Sequence, residues 1–239
     1  MSTGKLKPMM NKLRCSAILF VLTLLTLALA CNKTNDEDKV NAPADKKGFG
    51  HSIDWPEGSL FALPAGITVD EPIRGYSEFT PEYCDDKTRE DAVGFGNMVQ
   101  VCIPFKNNTG LPVTIRCPQG LILVSKKLSV TGENLRIQNG ILVRTATIVV
   151  PAQTTWYQPL FLFCVNSGWQ ASAPGFEYEL GPVTNDKDML DLFRVIDRKQ
   201  LTRDAELASY LQSAVWDASE GKPVSKMAMD VINGLPDLE

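Results

Sequence analysis

The stretch Val99-Gln100-Val101-Cys102-Ile103-Pro104-Phe105-Lys106-Asn107-Asn108-Thr109-Gly110 decides how the rest of the chain is read. Val99, Val101, Ile103 and Phe105 alternate with Gln100, Cys102 and Pro104, the two-residue period of a strand with one buried face and one less apolar face. Asn107 to Gly110 then supply turn chemistry, because Asn and Gly reach positive φ at little cost. Further β-rich runs follow at 113–117, 121–124, 141–150 and 156–165, with turn signals at Pro118-Gln119-Gly120 and Asn139-Gly140. No helical spacing interrupts them between residues 59 and 180. Short strands at this spacing predict an immunoglobulin-like antiparallel β-sandwich over 55–184.

Beyond residue 185 the period changes. Met189, Leu192, Phe193 and Ile196 fall at helical spacing, as do Ala208, Leu211, Gln212 and Val215. A third, shorter helix is expected from about Ser225, with Ala228, Val231 and Ile232 inward. Gly221 with Pro223 ends the second helix and Gly234 with Pro236 the third. A helical tail of about 50 residues is small for independent folding. Residues 185–239 are therefore expected to pack on the sandwich in one folding unit of α+β class.

A length of 239 residues with 44% hydrophobic content suits a globular protein. The formal charge of −4 leaves no basic excess to neutralise phosphates, so nucleic acid is not an expected partner. His51 is the only histidine, which rules out a zinc site built on several imidazoles and would route any Ser-His or Cys-His mechanism through one residue.

Lys5, Lys7, Lys12 and Arg14 precede the apolar run 16–30, an n-region followed by an h-region. A run of about 15 residues is short of the roughly 20 that span a bilayer. It ends Leu27-Ala28-Leu29-Ala30-Cys31, with small residues before a cysteine and a polar tract after it. This resembles the lipobox of bacterial lipoproteins, although Ala28 and Leu29 stand where that pattern has a branched and then a small residue. The resemblance implies that 1–30 is a signal peptide and that Cys31 carries acyl chains such as palmitate. A plain secretory peptide cut after Ala30 is the alternative. Either cleavage removes four positive charges and takes the formal charge from −4 to −8. Membrane attachment is then expected to come from lipid rather than from a basic surface.

Residues 31–54 comprise this cysteine and a tract of Asn, Asp, Lys, Pro and Gly with no hydrophobic period, expected as a flexible tether. The triplet Asp36-Glu37-Asp38 resembles the signals that send Bacteroidota lipoproteins to the outer face of the outer membrane; a solvated linker cluster explains it equally. Asn32 is not the Asp associated with inner-membrane retention in enterobacteria. The expected location is the cell envelope, at the outer membrane, on its periplasmic or surface-exposed face.

Cys84, Cys102, Cys117 and Cys164 remain after Cys15 and Cys31 are set aside, and four cysteines in an exported chain allow three pairings. One or two disulfides are expected, with buried free thiols as the alternative. No C-x2-C pair supports a zinc centre, and no Asp-x-Asp-x-Asp-Gly loop turns Asp85-Asp86, Glu90-Asp91 or Asp186 with Asp188 into a calcium site. His51, beside Gly50 and near Asp54, lies where little order is expected. No catalytic set, metal or cofactor is expected.

The expectation is a non-catalytic binding or structural module whose partner is a protein or glycan. Trp55, Tyr76, Phe79, Tyr83, Trp156, Tyr157, Trp169, Phe176 and Tyr178 are candidates for a contact face, with the core as the commoner fate of such residues.

Leu211-Gln212-Ser213-Ala214-Val215-Trp216 is similar to the Thr-Gln-x-Ala motif of the thioester domains of bacterial surface adhesins, with Leu211 in place of Thr. The resemblance covers six residues and implies an internal thioester between Gln212 and a cysteine that captures host amines. Cys84 and Cys164 are the two candidates, and Cys164 is the better placed because a packed helix can reach its strand. Packing of a helix against a sheet would produce the same letters.

Overall fold

The structure is a computed structural model that describes residues 46–126, 128–130 and 133–238, with side chains described except between 127 and 135. The expected signal peptide 1–30, Cys31 and the part of the expected tether up to residue 45 lie outside the described residues. The strands are β1 (Gly58–Ser59), β2 (Ile67–Val69), β3 (Ile73–Gly75), β4 (Val93–Gly94), β5 (Val99–Asn107), β6 (Val113–Cys117), β7 (Leu121–Ser125), β8 (Leu128–Val130), β9 (Glu133–Leu135), β10 (Gly140–Ile141), β11 (Ala146–Val150), β12 (Thr155–Cys164) and β13 (Glu177–Thr184). Three α-helices follow: α1 (Lys187–Ile196), α2 (Ala205–Ser219) and α3 (Lys226–Gly234). None of the described helices is long and apolar enough to cross a membrane.

The alternating run forms β5, and both of its edges are used. One edge pairs with β3, at Cys102 opposite Arg74; the other pairs with β12 from Lys106 opposite Thr155 to Val99 opposite Leu162. The order β5, β3, β13, β7, β10, β12 thus returns to β5, and all six contacts are antiparallel. This closed six-stranded barrel overturns the expected immunoglobulin-like sandwich, which would leave two sheets with free edges. Closure needs strands that bend, and β13 has an irregular register between Leu180 and Val183. Gly181 sits in that break, where a Cβ would lie 2.7 Å from Val124 Cγ2 and 2.8 Å from the Ile122 carbonyl oxygen. β2 extends the β5 edge, β1 pairs with the end of β13, and β4 runs parallel beside β12.

The run 141–150, expected as one strand, divides in two. Ile141 stays in the barrel with β10, while 146–150 becomes β11 and pairs with β6 as a separate ribbon. Asn139-Gly140, expected as a turn, leads directly into β10. A Cβ at Gly140 would come within 2.7 Å of Val99 Cγ1, so the absence of a side chain is what lets this short strand fit.

Alternation along the barrel strands sorts the core into three clusters. Val99, Val101, Ile103, Phe105, Leu121, Leu123, Leu160, Leu162, Cys164 and Tyr178 fill the interior, joined by Ile115, Cys117, Ile148 and Val150 from the ribbon. Ile122, Val124, Ile141, Phe163 and Val165 face outward and are covered by the helices. Cys102 and Phe161 face outward elsewhere, beneath Tyr76, Cys84 and Ala92 of the 76–92 segment. β7 and β12 are therefore apolar on both faces.

The helices carry the apolar stripes that their spacing predicts. Met189, Leu192, Phe193 and Ile196 of α1 are buried, as are Leu207, Ala208, Leu211, Gln212, Ala214, Val215 and Ala218 of α2. In α3, Ala228 and Ile232 are buried, whereas Val231, expected inward, is half-buried. Burial of each large aliphatic or aromatic side chain contributes about 1.5–3 kcal/mol. Each helix begins with a side-chain cap: Asp186 accepts from Met189 N, Asp204 from Glu206 N and Leu207 N, and Ser225 from Ala228 N. Such caps are worth about 1 kcal/mol apiece.

Residues 46–52, expected at the end of the tether, are strapped to this helical layer. Phe49 is buried in the helix-covered cluster, and Gly50 N donates to the Val165 carbonyl at 2.8 Å. Lys46 Nζ donates to Asp186 Oδ1 at 2.9 Å, to Asp188 Oδ2 at 2.6 Å and to the Ala218 carbonyl at 2.9 Å. The folded unit thus begins earlier than the absence of a hydrophobic period suggests.

Candidate functional site

Gln212 falls on the buried face of α2, one turn after Ala208, and reaches the end of β12. The pairing of β12 with β5 stops at Leu162, so Cys164 lies beyond the partner strand on that edge. Gln212 completes it with a side chain. The Cys164 N–H donates to Gln212 Oε1 at 2.9 Å, and Gln212 Nε2 donates to the Cys164 carbonyl at 2.7 Å. The Cys164 thiol belongs to the interior cluster, donating to the Asn166 carbonyl at 3.1 Å and accepting from Asn166 N at 3.2 Å. Burial pushes its pKa up to about 11. It is a protonated thiol at neutral pH, beside an amide held at both ends.

A buried polar seam continues from this pair to the strap. Asn166 Oδ1 accepts from Asn139 N at 2.8 Å, and Asn166 Nδ2 donates to the carbonyls of Gly48 at 3.1 Å and Gly50 at 3.2 Å. Asn139 Nδ2 also donates to Gly48 O at 3.2 Å, while its Oδ1 accepts from Ser125 N at 2.9 Å. Every one of these contacts satisfies backbone groups that are shut away from water, which is costly to leave undone. The two asparagines escaped sequence reading because Asn139 reads as a turn residue and Asn166 as the polar end of a strand.

The second candidate site is the segment 76–92, lying over the outer face of β5 and β12. It is held at several points. A disulfide joins Cys84 to Cys102. Tyr76 Oη donates to the Lys87 carbonyl at 3.0 Å, and Gln158 Nε2 donates to the Asp91 carbonyl at 2.7 Å. Arg203, from the connection between α1 and α2, donates Nε to the Gly94 carbonyl at 3.0 Å, Nη1 to the Arg89 carbonyl at 2.9 Å and Nη2 to the Ala92 carbonyl. A guanidinium fork suits three divergent acceptors in a way that an ammonium does not. Nothing near Arg203 in the sequence announces this role, because its acceptors are backbone carbonyls more than a hundred residues away.

On this braced frame Phe79 is 96% exposed and Tyr83 is 50% exposed. The two cations of the segment lie over rings, with Lys87 Nζ 4.5 Å from the centre of the Trp156 ring and the Arg89 guanidinium 5.2 Å from that of Phe161, and Arg89 also pairs with Glu78 at 3.5 Å. Glu78, Glu82, Asp85, Asp86, Glu90 and Asp91 are all exposed.

Of the aromatic residues named as a candidate contact face, Tyr76 and Tyr178 are core, Trp156, Tyr157, Trp169 and Phe176 are half-buried, and Trp55, Phe79 and Tyr83 are exposed. Of the four candidate disulfide cysteines, Cys84 and Cys102 pair, whereas Cys117 and Cys164 are free and buried. Cys84 is thereby committed and lies apart from Gln212. His51 is exposed, and Asp54 accepts from Ser52 Oγ at 3.4 Å. Asp186 and Asp188 serve Lys46 and the start of α1. Among the described residues no group of three or more His, Cys, Asp or Glu is arranged to hold a metal ion. Comparison with protein-family models, with curated proteins and with solved structures finds no match to this chain.

Proposed function

We propose that this chain is a lipid-anchored protein of the cell envelope, at the outer membrane, acting as a non-catalytic binding or structural module. The observation that carries the binding reading is the display of Phe79 and Tyr83 on a segment fastened to the barrel by a disulfide and an arginine clamp. Exposed aromatic rings on a pre-organised frame lose little entropy on contact. The anchoring half rests on the basic, apolar, small-residue, cysteine order of residues 5–31. Labelled palmitate and membrane fractionation test it: the wild type incorporates label and sediments with membranes, and Cys31→Ser does neither. Retention in membranes at the unprocessed mass in both forms overturns the lipid anchor.

A second reading is favoured by the contact between Gln212 and Cys164: a covalent surface module in which these residues form a thioester. The thiol sulfur would bond to the Gln212 side-chain carbonyl carbon with loss of ammonia, lowering the intact mass by about 17 Da, and a small amine would add across the bond. The two hydrogen bonds to the Cys164 backbone account for Gln212 without that chemistry, so the binding module ranks first. A mass that fits one disulfide and free thiols, unchanged by methylamine, removes the thioester.

A further inference from the structure

We propose that segment 76–92 is the docking surface of the molecule and that its partner is a basic polypeptide segment; this rests on the binding-module reading above. The apolar component is Phe79, just before the short helical turn Pro81–Cys84, and Tyr83 within it. The polar component is a rim of one sign. Between residues 77 and 91 stand six carboxylates and two cations. Lys87 and Arg89 lie half-buried over the Trp156 and Phe161 rings, and Arg89 also reaches Glu78 at 3.5 Å, which leaves Glu82, Asp85, Asp86, Glu90 and Asp91 as the exposed acidic rim. A surface that presents aromatic faces and five exposed carboxylates, with its own two cations laid over rings, complements lysine and arginine side chains. Cations stack over the rings and pair with the rim.

Two features select an extended polycation over a metal ion. Among the described residues no three carboxylates converge on one point, so the charge is spread along the segment. The segment is also fixed by the Cys84–Cys102 disulfide, by Tyr76 on the Lys87 carbonyl, by Gln158 on the Asp91 carbonyl and by Arg203 on three carbonyls, which removes much of the ordering cost of binding. Lipid headgroups offer no comparable run of cations.

The test uses the full-length chain in neutral detergent, titrated by calorimetry with a blocked decapeptide alternating Lys and Pro, with its Glu-Pro counterpart, with calcium chloride and with phosphatidylcholine vesicles. The expected result is binding of the Lys-Pro peptide alone, weakened by added salt. The double variant Phe79→Ser/Tyr83→Ser should weaken it about tenfold, as truncation of interface anchors does, and Glu82→Gln/Asp86→Asn should do likewise. Asp230→Asn, on α3, should change nothing. Intact mass confirms that the disulfide survives in each variant. Equal binding by wild type and both double variants overturns the proposal, as does binding of calcium or vesicles without the peptide. A chain that carries palmitate at Cys31 and ignores the peptide overturns this partner while leaving the envelope anchor standing; a chain that binds the peptide but carries no palmitate does the reverse.

Discussion

The Gln212 side chain and the Cys164 backbone form a two-point hydrogen-bonded pair, with the amide acting as one link of a missing strand. Gln212→Ala leaves a buried N–H and a buried carbonyl without partners. The expected loss is about 2–6 kcal/mol in urea unfolding, since each of the two orphaned buried polar groups costs about 1–3 kcal/mol. Gln212→Met fills the space without the bonds and should recover little.

Arg203→Lys should leave the barrel intact and loosen the segment it clamps. Hydrogen exchange at residues 89–94 is expected to accelerate, with a global loss of about 1–2 kcal/mol, because lysine offers no planar fork to three carbonyls. Protection unchanged from wild type would show that the clamp is redundant with the disulfide.

Reduction of Cys84–Cys102, which are 18 residues apart, should cost about 3 kcal/mol by relaxing a short closed loop in the unfolded chain. Cys84→Ser/Cys102→Ser should match the reduced wild type and be insensitive to reductant.

The buried thiols predict a pH dependence of definite sign. Burial raises Cys117 to about 12 and Cys164 to about 11, from the ordinary thiol value of 9.0. Both thiols stay protonated in the folded chain while the unfolded chain begins to ionise near pH 9, so the unfolded state binds fewer protons above that point. Their contribution is fully present below pH 9 and is lost between there and the folded values, at about 1.4 kcal/mol per pH unit per thiol. Cys117→Ala should flatten the alkaline slope of stability, measured by urea unfolding across that window. In the native state neither thiol should react with a disulfide reagent at pH 8.

The letters disclosed local structure well and closure poorly. Val99, Val101, Ile103 and Phe105 declare β5 and its inward face, and all four are fully buried. They say nothing of a second partner on the far edge, because β3 is three residues long and carries no pattern of its own. Closure is a non-local fact, decided by how β13 bends at Gly181. The run 141–150 concealed its break for a different reason: the polar pair Arg144-Thr145 marks the place, but two polar letters between apolar residues fit an alternating strand as well as a bend out of the barrel. Met189, Leu192, Phe193 and Ile196 disclosed α1 fully, since a helix on a sheet needs one stripe and these residues supply it. The encounter of Gln212 with Cys164 was legible as letters, and its backbone pairing was not, because which edge of β12 lies open depends on where β5 ends. The pairing of Cys84 with Cys102 was likewise hidden in spacing that allows three answers.

Phe49→Ala removes the aromatic plug of the strap and is expected to cost about 3–5 kcal/mol, as for buried phenylalanines in general. Proteolysis near residue 50 should speed up correspondingly in the variant, while cleavage within the barrel strands should not exceed what the lost stability predicts.

The strap would also be the first segment to bear a pull applied from its N-terminal side. Tension arriving from the N-terminal side is met first at Lys46, whose three bonds to Asp186, Asp188 and Ala218 tie the two ends of different helices together, and then at Phe49 and the Gly48 and Gly50 carbonyls held by Asn139 and Asn166. Such a load would be shared among side chains of the helical layer and of the residues beside β10 and β12. Resistance to a pull is then set by the rate at which this short segment lets go, a quantity that equilibrium stability does not report.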